Sequence, residues 1–264
     1  MPVVAEYINQ LQSYEEYSFS WEELLQHSNT SESTLRKELA RLADRNEILN
    51  LRKGFYLIIS PRYRNLGKLP VQLYVEKLFT CLEKNYYVGL YSAAAFHGAS
   101  HQQTQLDYII TAPPALRDIK KEKTTLRFFK STHWPKKNIM ERKSDAGLFK
   151  ISSPALTAAD LIHHQAKIGG LNRLLANLEE LTEEITPTDI NDLLSWYPHK
   201  STLQRLGYLM DKLDVQKNWT DPIYIHLNKK KYYPILLTPK NGVKAGSSGN
   251  RWKIDVNIEL DSDL

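Results

Sequence analysis

Ser31-Glu32-Ser33-Thr34-Leu35-Arg36-Lys37-Glu38-Leu39-Ala40-Arg41-Leu42-Ala43-Asp44-Arg45 decides how the amino-terminal part of the chain is read. At 100° per residue, Leu35, Leu39 and Leu42 fall on one face, so the stretch is a helix whose leucines pack inward. The opposite face presents Ser33, Lys37, Ala40 and Arg41, with Arg36 on its flank and Thr34 near its start. Small hydroxyls and cations at the amino end, with no bulky apolar residue outward, suit a helix laid in a DNA major groove. Asp44 is the misfit on that face, since it repels phosphate. It stands at the carboxyl end, away from the turns that contact bases.

Upstream, Val3, Val4, Tyr7, Ile8 and Leu11 recur at helical spacing and predict a first helix over about 2–12. Ser20-Trp21-Glu22-Glu23 has the pattern of a capping box. It opens a short helix, with Trp21, Leu24 and Leu25 inward, that ends near His27. Ser28-Asn29-Thr30 is a turn, and Ser31 is expected to cap the third helix. Downstream, Ile48–Arg52 and Phe55–Ile59 are β-rich runs joined through Lys53-Gly54, a hairpin with Arg52 and Lys53 at its tip. Helix, helix, turn, helix and basic hairpin make the signature of a winged helix-turn-helix over residues 1–66. Ser33, Lys37 and Arg41 are the groove candidates, with Thr34 a further DNA-binding candidate near the entry; Arg36, Arg52 and Lys53 are the phosphate candidates. One such module makes few contacts, so pairing of two copies on double-stranded operator DNA is expected. The same module used for protein contacts alone stays open.

The chain has 264 residues, 42% hydrophobic and 25% charged, the proportions of a globular protein long enough for two domains. Its start, Met1-Pro2-Val3-Val4-Ala5-Glu6, has no basic cluster and no long apolar run, so no signal peptide is expected. No apolar run approaches the roughly 20 residues of a membrane helix, and a cytoplasmic location is expected. The lone Cys81 excludes an internal disulfide and a four-cysteine zinc site; Leu78-Phe79-Thr80-Cys81-Leu82 suggests a buried thiol.

The net charge of +5 is uneven. Residues 1–30 carry five acids and no Lys or Arg, whereas 31–66 carry eight bases against four acids. Residues 113–150 hold eleven bases against four acids, and 151–264 are nearly neutral. Two local basic regions point to specific anionic partners rather than a generally basic protein.

Residues 61–70, with Gly67, Pro61 and Pro70, read as a linker to a larger α+β domain over 67–264. Helices are predicted from Pro70, over Leu90–Phe96, from Pro154, over Leu171–Leu181, Pro187–Trp196 and Ser201–Leu213. Strands are predicted at Tyr86–Gly89, Leu106–Thr111, Thr125–Ser131, Asn138–Arg142, Leu148–Ser152, Ile223–Leu227, Tyr232–Leu237 and Trp252–Leu260.

Three stretches carry a family likeness. Gly89-Leu90-Tyr91-Ser92-Ala93-Ala94-Ala95-Phe96-His97-Gly98 resembles the short alanine-rich helix of the AbiEi family. Ile151-Ser152-Ser153-Pro154-Ala155-Leu156-Thr157-Ala158-Ala159-Asp160-Leu161-Ile162 resembles its strand-then-helix segment, and Asn250-Arg251-Trp252-Lys253-Ile254-Asp255-Val256-Asn257 its closing strand. AbiEi proteins are antitoxins of type IV (abortive infection) toxin–antitoxin systems. The resemblance implies that the winged helix represses its own operon at inverted repeats. It further implies that the larger domain counteracts a nucleotidyltransferase-like toxin, with no stable complex required. The lysine-rich insert around Lys120, Lys121 and Lys123 has no counterpart in that likeness.

Other chemistry was weighed beside it. Asp107 on one strand and Glu141-Arg142-Lys143 on another could hold Mg²⁺ for phosphodiester cleavage; an ion pair on a strand end is the plainer reading. His97 and His101 have the spacing of two zinc ligands, but Gly98 interrupts the helix and no third ligand is evident. His163-His164 point to different faces, and Ala245-Gly246-Ser247-Ser248-Gly249 lacks the lysine and helix of a P-loop, so it reads as a surface loop. No cofactor or metal motif is found. Lys120, Lys121, Lys123, Arg127, Lys130, Lys136 and Lys137, interleaved with Phe128, Phe129, His133 and Trp134, suit an anionic or single-stranded nucleic-acid partner. Under the family likeness they are the expected working surface of the antitoxin domain; the alternative makes the phenylalanines core. A different winged-helix regulator, whose larger domain senses a ligand or partner, is the competing overall reading.

Overall fold

The computed structural model describes residues 3–99, 106–213, 217–229, 231–246 and 248–260. The chain is α+β and forms two compact units: Met1–Tyr87, Gln105–Lys130 and Glu141–Lys150 in the first; Val88–Thr104, Ser131–Met140 and Ile151–Leu264 in the second.

The first unit opens with α1 (Val3–Ser13), β1 (Ser18–Ser20), α2 (Trp21–His27), α3 (Glu32–Asp44), β2 (Ile48–Arg52) and β3 (Phe55–Ile58). The capping box of α2 forms: Ser20 Oγ accepts the Glu23 N–H at 3.1 Å, and Glu23 Oε2 accepts the Ser20 N–H at 2.7 Å. Ser31 occupies the cap position of α3, but its hydroxyl meets Ser33 Oγ and Thr34 Oγ1 instead of a backbone N–H. Val4, Ile8, Leu11, Phe19, Leu24, Leu35, Leu39, Leu42, Ile48 and Ile58 bury together as one core. Gly54, at φ +75°, turns the β2–β3 hairpin, and its carbonyl accepts the Trp21 N–H at 2.8 Å. Strand β1 was not foreseen: three residues carry no period, and only pairing with β3, Ser18 opposite Leu57 and Ser20 opposite Phe55, makes them a strand. The small sheet runs β1-β3-β2.

Within the expected linker, Pro61 starts a single helical turn, α4 (Pro61–Arg64). A 3-10 turn at Val71–Leu73 then precedes α5 (Val75–Cys81), so the helix starts five residues after Pro70. Lys77 on α5 reaches Glu16 at 2.6 Å and the capping residue Glu23 at 3.1 Å. Cys81 corrects an expectation: it is exposed, because Val75, Leu78 and Phe79 take the buried stripe and the helix ends there. Strands β4 (Tyr86–Val88), β5 (Leu106–Thr111), β6 (Ile119–Lys121), β7 (Thr124–Lys130), β8 (Ile139–Ser144) and β9 (Gly147–Ser152) form a sheet in the order β6-β7-β5-β4-β9-β8. β5 runs parallel to β7, from Leu106 opposite Thr125 to Thr111 opposite Lys130. β6, also unforeseen, pairs antiparallel with β7. Its Lys-Lys sequence has no strand propensity, so the pairing decides it.

The second unit is mainly helical, with α6 (Leu90–Phe96), α7 (Pro154–His163), α8 (Leu171–Glu184), α9 (Pro187–Trp196), α10 (Lys200–Lys212) and α11 (Lys217–Asn228). Every residue of α7 from Pro154 to Ile162 is buried, which makes it the central helix. Helix α11 overturns the expected strand at Ile223–Leu227. Ile223 and Leu227, four apart, are buried while Ile225 is 57% exposed, which is a helical period rather than alternation. The two closing strands shrink to a parallel pair, β10 (Ile235–Leu236) and β11 (Ile254–Asp255).

Candidate nucleic-acid interface

The leucines of α3 are buried in the core, so its other face is turned out by geometry. Ser33, Thr34, Arg36, Lys37, Ala40 and Arg41 are all exposed. Lys37 and Arg41 stand one turn apart and form no ion pair with a described residue. Arg36 is tethered: it meets Glu32 at 3.2 Å and lies 4.5 Å over the Trp21 ring. Trp21 packs inward against the core as expected, and its half-buried ring also holds this guanidinium. No sequence period links residues fifteen apart on different helices. Arg52 is half-buried and Lys53 exposed at the hairpin turn; Asp44 is exposed at the far end of α3.

The seven cations of the expected antitoxin surface divide between the units. Lys120, Lys121, Lys123, Arg127 and Lys130 belong to the first, Lys136 and Lys137 to the second. Lys120, Lys121, Lys123 and Lys130 are exposed on β6, its turn and the end of β7. Arg127 lies 5.6 Å over Phe129 and 3.9 Å from Asp118, and Lys137 meets Asp192 at 2.5 Å. Phe129 is buried and Phe128 packs edge-on to Phe79, so these rings fill core instead of offering faces to bases.

The carboxylates considered for a metal do not converge. Asp107 on β5 and Glu141 on β8 are separated by β4 and β9, which is about 14 Å at the ordinary strand spacing. Asp107 is instead buried against Lys68 at 2.7 Å; burial pushes its carboxyl up, and the Lys68 ammonium pulls it back. His97 Nε2–H donates to Ser152 O at 2.7 Å, while His101 lies outside the described residues, as does Ser247 of the 245–249 loop.

In the second unit the Ser-Ser-Pro stretch is scaffold. Ser153 Oγ accepts the Leu156 N–H, Thr157 Oγ1 bonds Ser152 Oγ at 2.6 Å, and Asp189 Oδ2 accepts the Ala155 N–H at 2.7 Å. Asp189 and Trp196 are joined through the buried Asn138. The first turn of α7 therefore has its donors satisfied by this chain.

His163, whose ring also meets His164, belongs to a histidine cluster that the sequence did not associate with it. His163 stacks on His199 at 4.3 Å, and His199 lies 5.9 Å from His133. Burial, then the neighbouring imidazole, lowers His163 to about 4 and His164 to about 3; burial and His133 lower His199. An unfolded histidine takes its proton near 6.5, whereas these resist until much lower pH. The unfolded chain thus binds more protons below 6.5, so folding stability, full above that value, drains away as pH falls toward 4. Urea unfolding of the full chain at pH 7 and pH 5 should show a loss of about 1 kcal/mol, carried mainly by the half-buried His164 because solvent screens the exposed His163, and reduced in His164→Gln. An equal pH dependence in that variant would remove the cluster as its cause.

These units define an α+β protein that turns a basic helix outward from one of them. Residues 87–212 match the family model of the AbiEi antitoxin C-terminal domain. That match supports an antitoxin role in a toxin–antitoxin system. The fold is similar to the crystal structure of the RV2827C protein from Mycobacterium tuberculosis, with TM-score 0.66 and 15% identity over 96% of this chain and 90% of that one. A comparison with curated proteins gave no match. Among the described residues no helix is long and apolar enough to cross a membrane.

Proposed function

We propose that this chain is the antitoxin of a type IV system, opposing a nucleotidyltransferase-like toxin and repressing its own operon at inverted-repeat DNA. In this reading residues 1–66 are a winged helix-turn-helix and residues 67–264 the antitoxin domain. The observation that carries DNA binding is the exposed Lys37–Arg41 pair on α3, backed by three buried leucines. Ser33, Thr34, Lys37 and Arg41 enter the groove, and Arg36, Arg52 and Lys53 take phosphates. Two copies pair on the half-sites. Lys120, Lys121, Lys123, Lys130 and Lys136 are the solvent-facing candidates for opposing the toxin, Arg127 and Lys137 being engaged by Asp118 and Asp192.

Arg52→Ala and Lys53→Ala should each weaken promoter binding similarly on cognate and random DNA. The slope of log affinity against log salt should become shallower by about one per lost contact. An unchanged slope would remove the hairpin from the interface. The wider test co-expresses the full chain with the neighbouring gene and scores growth and promoter activity together. Lys120→Gln with Lys121→Gln should lower rescue and spare repression. If the neighbouring gene is harmless alone, the antitoxin reading fails.

A further inference from the structure

The second unit holds a cationic pocket that the DNA-binding reading does not use. The segment after α11 folds over α10 and encloses, with Arg205, an open pocket of about 450 Å³. Its charged walls are Arg205, Lys240 and Lys244, and among the described residues no carboxylate lines it. Its apolar walls include Ile235, Pro239 and Val243, the last 48% exposed.

Arg205 is the decisive group. Its Nε donates to Leu236 O at 3.1 Å and Leu237 O at 2.9 Å, and its Nη2 to Leu236 O at 2.9 Å. These carbonyls fix the plane of the guanidinium without neutralising it. Nη1 makes no hydrogen bond to a described residue, and the guanidinium lines the pocket, where its planar N–H groups suit phosphate oxygens. Burial alone lowers its affinity for its proton, with no acid offsetting the effect. Asp255, in the adjoining strand, is turned to the Gly246 N–H at 2.7 Å.

We propose that this pocket binds a nucleoside polyphosphate. Three cations with no acid beside them among the described residues exceed what one carboxylate needs, whereas each phosphate brings between one and two negative charges. The volume falls within the roughly 300–1,000 Å³ of small-molecule sites, and the apolar wall offers room for a base beside the phosphates. This assignment is independent of the DNA-binding reading, because every group in it lies in the second unit.

Calorimetric titration of the full chain with ATP, pyrophosphate and adenosine, at near-physiological salt, tests it. Saturable one-to-one binding of ATP is expected, with pyrophosphate weaker and adenosine weaker still. Lys240→Gln with Lys244→Gln should weaken ATP by about tenfold or more, since each lysine offers a charge-assisted bond to the phosphates. Lys167→Gln with Lys212→Gln, an equal charge change at exposed positions of the same unit outside the pocket, should leave binding unaltered. Arg205→Met should abolish it; because this change also frees two carbonyls, the lysine pair provides the reading if that variant fails to fold. Absence of saturable ATP binding, or equal loss in both lysine pairs, overturns the pocket. Equal affinity for pyrophosphate and ATP overturns the nucleoside assignment.

Discussion

Lys37→Ala combined with Arg41→Ala should abolish the shift of the protein's own promoter in a gel assay at fixed salt. The expected loss is about a hundredfold or more, because each well-placed contact to a base edge is worth roughly 1–3 kcal/mol. The fold should be untouched. Both side chains are exposed, and the helix is held by Leu35, Leu39 and Leu42 from its other side. Alanine is also the better helix former. The measurement separates two roles for these cations. Loss confined to the cognate promoter places them in the groove; loss shared equally with random DNA makes them phosphate contacts. Normal binding by the double variant would show that α3 does not face the duplex.

The second large effect lies in the packing of the second unit. Trp252→Ala should cost about 3–5 kcal/mol, the range for deleting a fully buried aromatic side chain. Trp252 is 1% exposed, and its Nε1–H donates to Asp211 Oδ2 at 2.6 Å. Asp211 also receives Nε and Nη2 of Arg251, at 2.9 Å and 2.8 Å. Burial pushes the Asp211 carboxyl up, but the bonds from Arg251 and Trp252 outweigh it and hold the group below its usual range. The ring lies against α10 at Gly207, where an added Cβ would stand 2.3 Å from two ring carbons. Gly207→Ala is therefore a test with a sign. By propensity alone it would stabilise the helix by up to about 1 kcal/mol. Overpacking against the indole should reverse this into a net loss of roughly 1–3 kcal/mol. Urea unfolding of the full chain reads both variants, and a gain in stability for Gly207→Ala would show that the ring has room to move. Should the two units unfold in separate transitions, only the one reporting the second unit should shift.

Local rules made much of this molecule legible before its structure. The capping box at Ser20 and Glu23, the leucine stripe of α3, the Lys53-Gly54 hairpin and the proline-started helices α7 and α9 each lie within a few neighbouring residues. The candidate interface was legible for the same reason: once Leu35, Leu39 and Leu42 turn inward, helix geometry turns Lys37 and Arg41 outward. Mistakes came where length or period was ambiguous. Ile223 to Leu227 is rich in β-formers, yet its burial follows a step of four.

By itself, then, the amino-acid order determined the kind of most elements, the inward face of α3 and the cations that face leaves in water. Tertiary structure decided which distant residues meet. It drew β1 and β6 out of unpatterned segments, placed two strands between Asp107 and Glu141, gathered His133, His163 and His199, and set Trp252 on Gly207. Those outcomes depend on strand order and on packing between residues tens of positions apart. A helical or strand period describes only a residue's neighbours along its own element, so it carries no record of the partner across the fold.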